Sequence, residues 1–150
     1  MKPKLVFTLI IVALMFATLA CLGGGQSGSP QGESPDDSGL SRGTWVLVEI
    51  RGEEPVSNGG SFPTITFMDG QASGNASCNG WGASYSSSGD SLSFGEAETS
   101  VMLCEVSGVM EQEEAFIQML GEAQRFEIQD NRLTIFTSSG ETLVFQELGT

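Results

Sequence analysis

The sequence predicts a mainly β domain of about eight short antiparallel strands with one helix. Three observations point there. From Gly43 onward apolar and polar residues alternate in short runs, the runs are separated by Gly paired with Asp, Asn or Ser, and a single stretch after Gly108 repeats its apolar residues at helical spacing.

The first run is 45–50, Trp-Val-Leu-Val-Glu-Ile, and the second is 64–68, where Ile65 and Phe67 alternate with threonines. Asp69-Gly70 turns the chain into a small-residue strand at 71–77. Asn79-Gly80 leads into 81–86, and Ser87-Ser88-Gly89-Asp90 into 91–94. Each of these turns uses residues that tolerate a left-handed backbone. A further extended piece is expected over 98–104, where Thr99, Val101 and Leu103 alternate. The helix is expected over 109–120, with Val109, Phe116, Ile117 and Leu120 on one face, Ser107 or Gly108 as its cap and Gly121 as a left-handed stop. Strands at 123–129, 133–137 and 142–147 complete the domain, with Asp130-Asn131 and Ser138-Ser139-Gly140 as hairpin turns.

The chain has 6 basic and 19 acidic side chains, a net charge of -13. Both lysines, Lys2 and Lys4, lie at the extreme N-terminus, so the folded part keeps only Arg42, Arg51, Arg125 and Arg132 as cations. Such a surface repels phosphate backbones, and nucleic acid is excluded as a partner. There is no histidine. That removes the usual general base near neutral pH, the Ser-His-Asp arrangement and most zinc sites. The reading is of a protein that is not an enzyme and carries no cofactor or metal.

Lys2 and Lys4 precede an apolar stretch, 5–19, that ends at Ala20-Cys21. This is the layout of a secretory signal, here 1–20. Thr18-Leu19-Ala20-Cys21 resembles a prokaryotic lipobox, which implies cleavage before Cys21 and lipidation of its thiol; Thr18 and Leu19 depart from the usual Leu and small residue. The alternative is an uncleaved signal anchor, since 5–22 is about long enough to span a bilayer. Either way the rest of the chain lies outside the cytoplasm, at the outer face of the cytoplasmic membrane or at the outer membrane. Residues 21–42 hold the lipidated Cys and a Gly/Ser/Pro tether, poor in large apolar residues, that would average about 25 Å end to end as a random coil. The folded domain is then 43–150.

An ordered set of motifs makes this domain similar to the META domain family of HslJ-like lipoproteins. The set comprises Gly43-Thr44-Trp45-Val46-Leu47, Pro63-Thr64-Ile65-Thr66-Phe67, Gly74-Asn75-Ala76-Ser77-Cys78-Asn79, Thr99-Ser100-Val101-Met102-Leu103-Cys104, Glu113 or Glu114 with Phe116 and Leu120, Leu133-Thr134-Ile135, Gly140 and Leu143-Val144-Phe145. The resemblance implies a small antiparallel, partly open β-barrel with one packed helix, and an association with envelope and stress functions. It supplies no catalytic residues.

With Cys21 assigned to lipid, Cys78 and Cys104 remain, and an exported compartment favours a disulfide between them. A redox-active or metal-binding pair and two buried thiols are the alternatives. Asn75-Ala76-Ser77 is a formal glycosylation sequon of low specificity. Glu111, Glu113 and Glu114 read as the solvated first turns of a helix rather than as a calcium site. Trp45 reads as core, whereas Trp81, flanked by glycines, is a candidate for a ligand or partner surface together with Asn79 and Tyr85. The leading functional reading is a tethered accessory lipoprotein that contacts another envelope protein. Its alternative is a carrier of a small apolar ligand inside the barrel.

Overall fold

The computed structural model describes residues 38–149. The expected signal segment, Cys21 and most of the tether lie outside the described residues. The elements in order are β1 (Thr44–Ile50), β2 (Thr64–Met68), β3 (Gln71–Asn75), β4 (Gly80–Ser88), β5 (Ser91–Phe94), β6 (Glu98–Thr99), α1 (Val109–Gly121), β7 (Ala123–Gln129), β8 (Arg132–Thr137) and β9 (Thr142–Glu147). The strand order is β3-β2-β1-β9-β8-β7-β5-β4-β6, and an additional β3–β4 pairing closes eight of the strands into a barrel. All pairings are antiparallel.

The ring is thinnest between β5 and β7, which share a single register pair, Ser91 with Arg125. There the Phe126 N–H donates to the Asp90 carbonyl at 2.8 Å. Two-residue turns set the hairpins: Asp69 and Gly70 both have positive φ, as do Asp130 and Asn131. This is the backbone that matches the twist of adjoining strands.

Alternation along the strands fills the barrel. Leu133, Ile135 and Thr137 of β8 point inward, and so do Leu143 and Phe145 of β9. On β1 the period breaks, because a bulge between Leu47 and Glu49 in the pairing with β9 lets Leu47 and Ile50 both face the core. Edge-on aromatic contacts run through the interior: Tyr85 on Phe67 at 4.9 Å, Trp81 on Phe116 at 5.7 Å, and Phe116 on Phe145 at 6.3 Å between ring centroids. These rings occupy the space in which a carried ligand would have to sit.

The domain begins earlier than composition implied. Leu40, assigned to the tether, is fully buried in a 3-10 turn, Leu40–Arg42, and its carbonyl accepts the Trp45 indole N–H at 2.8 Å. A lone leucine among polar residues reads as linker, yet here it plugs one end of the barrel. That end also carries the turns 69–70, 89–90 and 130–131. The opposite end carries the segments 51–63, 76–79 and 100–108, and α1 lies there with Phe116 against Trp81.

Two expectations about the 98–121 region need correction. Only Glu98–Thr99 is strand; 100–104 is irregular, with Val101 and Leu103 exposed. Gly121 belongs to the helix and is not left-handed. Glu122 is the cap, its N–H reaching the Gln118 and Met119 carbonyls. At the helix start the cap is Gly108, with φ 84.

Candidate functional site

The segment 76–79 between β3 and β4 is a tight loop built by its own polar groups. The Asn75 Oδ1 accepts the Ser77 N–H at 2.6 Å, and the Ala76 N–H donates to the Asn79 carbonyl at 2.7 Å. Ser77 adopts φ 91, a backbone that side chains other than glycine's rarely take. Its reward is position: the Ser77 hydroxyl accepts from the Gln112 amide at 3.0 Å and its carbonyl from Asn58 at 3.0 Å. The next two residues, Cys78 and Asn79, are thereby presented to the 100–104 loop and to α1.

Cys78 and Cys104 form a disulfide, with a Cα separation of 6.0 Å. Asn79 makes the larger set of contacts. Its Oδ1 accepts the Met102 N–H at 2.7 Å and the Ser100 hydroxyl at 3.0 Å, while its Nδ2 donates to the Met102 carbonyl at 3.1 Å. The same Nδ2 donates to Glu113 at 2.7 Å, and the Asn79 backbone N–H donates to the other Glu113 oxygen at 2.8 Å. Asn79 is thus bolted to the loop on one side and to the helix on the other.

Glu113, expected on a solvated face, is buried with 8% of its surface exposed. Helical spacing explains this: Val109, Glu113, Phe116 and Leu120 lie on one face, and the other three are apolar and buried. Gln112 beside it is also buried and clamps the 51–63 segment, accepting the Val56 N–H at 2.6 Å and donating to the Val56 carbonyl at 3.0 Å. Glu111 and Glu114 do remain exposed.

Of the three residues expected at a ligand or partner surface, Trp81 and Asn79 lie inside, 5% and 2% exposed. Trp81 packs on Phe94 and Phe116 and donates its indole N–H to the Thr64 carbonyl at 3.1 Å. Tyr85 is half-buried against Phe67. The structure brings Trp81 and Asn79 to the helix end of the barrel and leaves Tyr85 farther along β4. Flanking glycines suggested exposure for Trp81, but β4 is paired on both sides at this residue, with Gly74 of β3 and Thr99 of β6, and the indole is turned into the core.

The polar atoms of this cluster are committed to one another, and every buried side-chain nitrogen and oxygen among the described residues has a partner. Such an arrangement positions a loop. Among the described residues no three Cys, Asp or Glu side chains gather as a metal site would need. What the cluster positions is exposed: Val101, Met102 and Leu103 are 93%, 57% and 88% accessible. Beside them an open groove of about 570 Å³ runs along α1, lined by Thr99, Met110, Glu111, Glu114 and Ile117.

A family model described as the META domain matches residues 38–150, beginning two residues before the buried Leu40. One NMR structure is 24% identical with a TM-score of 0.62, covering 73% of this chain and 92% of its own. An NMR structure of a protein from Burkholderia xenovorans is 22% identical with a TM-score of 0.64, covering 82% and 97%. The crystal structure of a DUF4847 family protein from Bacteroides vulgatus is 16% identical with a TM-score of 0.53, covering 75% and 97%. At these identities the likenesses concern the fold. No functionally curated protein matches. With the eight-stranded ring, the packed helix and a family match over the whole described domain in agreement, the chain belongs to the META domain family.

Proposed function

We propose that this META-domain protein is a membrane-tethered, extracytoplasmic lipoprotein, anchored through Cys21, with a non-catalytic accessory or interaction role in the envelope or in its stress response. The observation that carries the reading is the cysteine arithmetic. The chain has three cysteines, two of which are joined as Cys78–Cys104. Oxidising compartments favour such bonds, and the pairing leaves Cys21, at the end of the apolar run, as the remaining thiol for lipid. A diacylated cysteine is a stable anchor, because each buried CH₂ contributes about 0.8 kcal/mol. The interaction role is supported by the apolar loop that the Asn79 cluster holds in solvent. Carriage of an apolar ligand is not favoured, since aromatic rings fill the barrel.

Native and denaturing mass spectrometry of the full chain, extracted from its own membrane, tests this. The expected species starts at Cys21, carries a diacylglyceryl mass and lacks two hydrogens for the disulfide. A chain retaining residues 1–20 without lipid would replace the lipid anchor by a helical one, and a chain recovered reduced and soluble from the cytoplasm would overturn the reading.

A further inference from the structure

Val101, Met102 and Leu103 are exposed because the loop that carries them is fastened. The Ser100 N–H bonds to the Gly80 carbonyl at 3.0 Å, Met102 is held at both its N–H and its carbonyl by Asn79, and Cys104 is covalently tied to Cys78. Burying a valine or leucine is worth roughly 1.5–3 kcal/mol, so a loose loop would fold them against the barrel. The fastenings prevent that relief. Val106, 42% exposed, extends the same apolar surface toward the helix start.

The surroundings of the loop define what would cover it. No lysine or arginine occurs between Arg51 and Arg125, whereas Glu98, Glu105, Glu111 and Glu114 are all exposed around the loop and the adjoining groove. The groove floor offers Met110 and Ile117. Its far wall is β6, the last strand in the sheet order, which has β4 on one side only. Since Ser100 bonds inward to Gly80, ladder alternation turns the backbone N–H and C=O of Thr99 away from β4. A strand edge, an apolar floor and a carboxylate rim together suit an extended polypeptide whose side chains alternate between apolar and basic.

Leu40, near the start of the described residues, is at the other end of the barrel, beyond strands of 6 to 7 residues, roughly 20 Å away. The carboxylates repel anionic headgroups. Resting on the interaction role proposed above, the geometry points to α1, β6 and the 100–106 loop as the docking site for a cationic, extended segment of an envelope protein.

The test places the photo-crosslinker benzoylphenylalanine at Leu103, or at Met68 on the tether end, in the full chain in its own cells. Crosslinks from position 103 map to a protein segment containing lysine or arginine among apolar residues, and Glu111→Gln with Glu114→Gln lowers their yield about tenfold. Crosslinks from 103 to lipid, or to protein from 68 alone, overturn the site; the second outcome leaves the interaction role standing. Protein crosslinks from neither position remove both. In parallel, a fluorescent peptide of alternating Lys and Leu is titrated onto the full chain in phosphatidylcholine nanodiscs. It binds, an Asp and Leu peptide does not, and Val101→Ser with Leu103→Ser weakens binding about tenfold while circular dichroism is unchanged. Equal binding of the two peptides, or equal binding of the Lys and Leu peptide to the unsubstituted chain and to the variant, overturns the proposal.

Discussion

Both oxygens of Glu113 are occupied by Asn79, one by its backbone N–H at 2.8 Å and the other by its side-chain amide at 2.7 Å. This pair joins α1 to the loop that enters β4, and it is buried on both sides. Removing either partner leaves the other's polar atoms without their match in a site closed to water. Glu113→Ala and Asn79→Ala should each cost about 2–4 kcal/mol in urea unfolding. The double variant should cost less than the sum by at least about 1 kcal/mol. Strictly additive losses would mean that the two residues act separately.

Much of the strand map was legible because alternation and turn chemistry agree. The edges of β2, β5, β7 and β9 fall where the patterns ended. The bulge in β1 was not, since a two-versus-one pairing leaves Trp45, Leu47 and Ile50 looking like ordinary strand residues. The 100–104 loop misled for the opposite reason. Its alternation is that of a strand, but the disulfide and Asn79 fix its path and point Val101 and Leu103 outward. Glu113 carried a usable signal in its spacing from Val109, Phe116 and Leu120; the charge of the side chain outweighed it in the reading. For Asn79 the sequence showed a position beside Cys78 and nothing of its five hydrogen bonds to Ser100, Met102 and Glu113, which lie in two segments distant from it in the chain.

Gly74 in β3 faces the backbone of β2. A methyl group there would overlap the Thr64 carbonyl oxygen, a backbone atom that cannot rotate away, and its neighbour Asn75 donates its N–H to the Thr64 hydroxyl at 3.0 Å. Gly82, in the next strand, has nothing nearer a new methyl than the Ala72 carbonyl at 3.8 Å. Gly74→Ala should therefore lose about 2 kcal/mol or more, while Gly82→Ala should be neutral or gain up to about 1 kcal/mol from reduced unfolded-state freedom. Thermal melts of the two variants side by side decide it; similar melting points would show that β2 and β3 can separate at little cost.

Glu122 ends the helix and reaches the β8–β9 turn. Its carboxylate accepts from Gln118 at 2.9 Å and from the Ser139 hydroxyl at 2.9 Å, and these bonds, Gln118's first, hold its pKa below the ordinary carboxylate value. A depressed value means that the stabilising contribution is fully present above the unfolded-state pKa, about 4.3 for glutamate. It is lost as pH falls through the lower folded value. Carboxyl carbon shifts followed by NMR should place the Glu122 midpoint below the ordinary glutamate value of about 4.3, and Ser139→Ala should move it upward. No movement in that variant would remove the Ser139 bond as a cause.

The disulfide and Asn79 fasten the same loop by different means, and their effects should separate. Closing 26 residues contributes about 3.5 kcal/mol by restricting the unfolded chain, so Cys78→Ser with Cys104→Ser should lower global stability by about that amount. The Met102 N–H, bonded to Asn79 at 2.7 Å, keeps its partner in that variant. Its hydrogen exchange should then stay slow once corrected for the lost global stability. Asn79→Ala should do the reverse at this amide: the disulfide remains, yet Met102 loses the acceptor for its N–H and the donor to its carbonyl, and exchange should quicken by about tenfold or more. If reduction alone released the Met102 amide, the covalent bridge would be holding the loop in place and the Asn79 bonds would merely follow it.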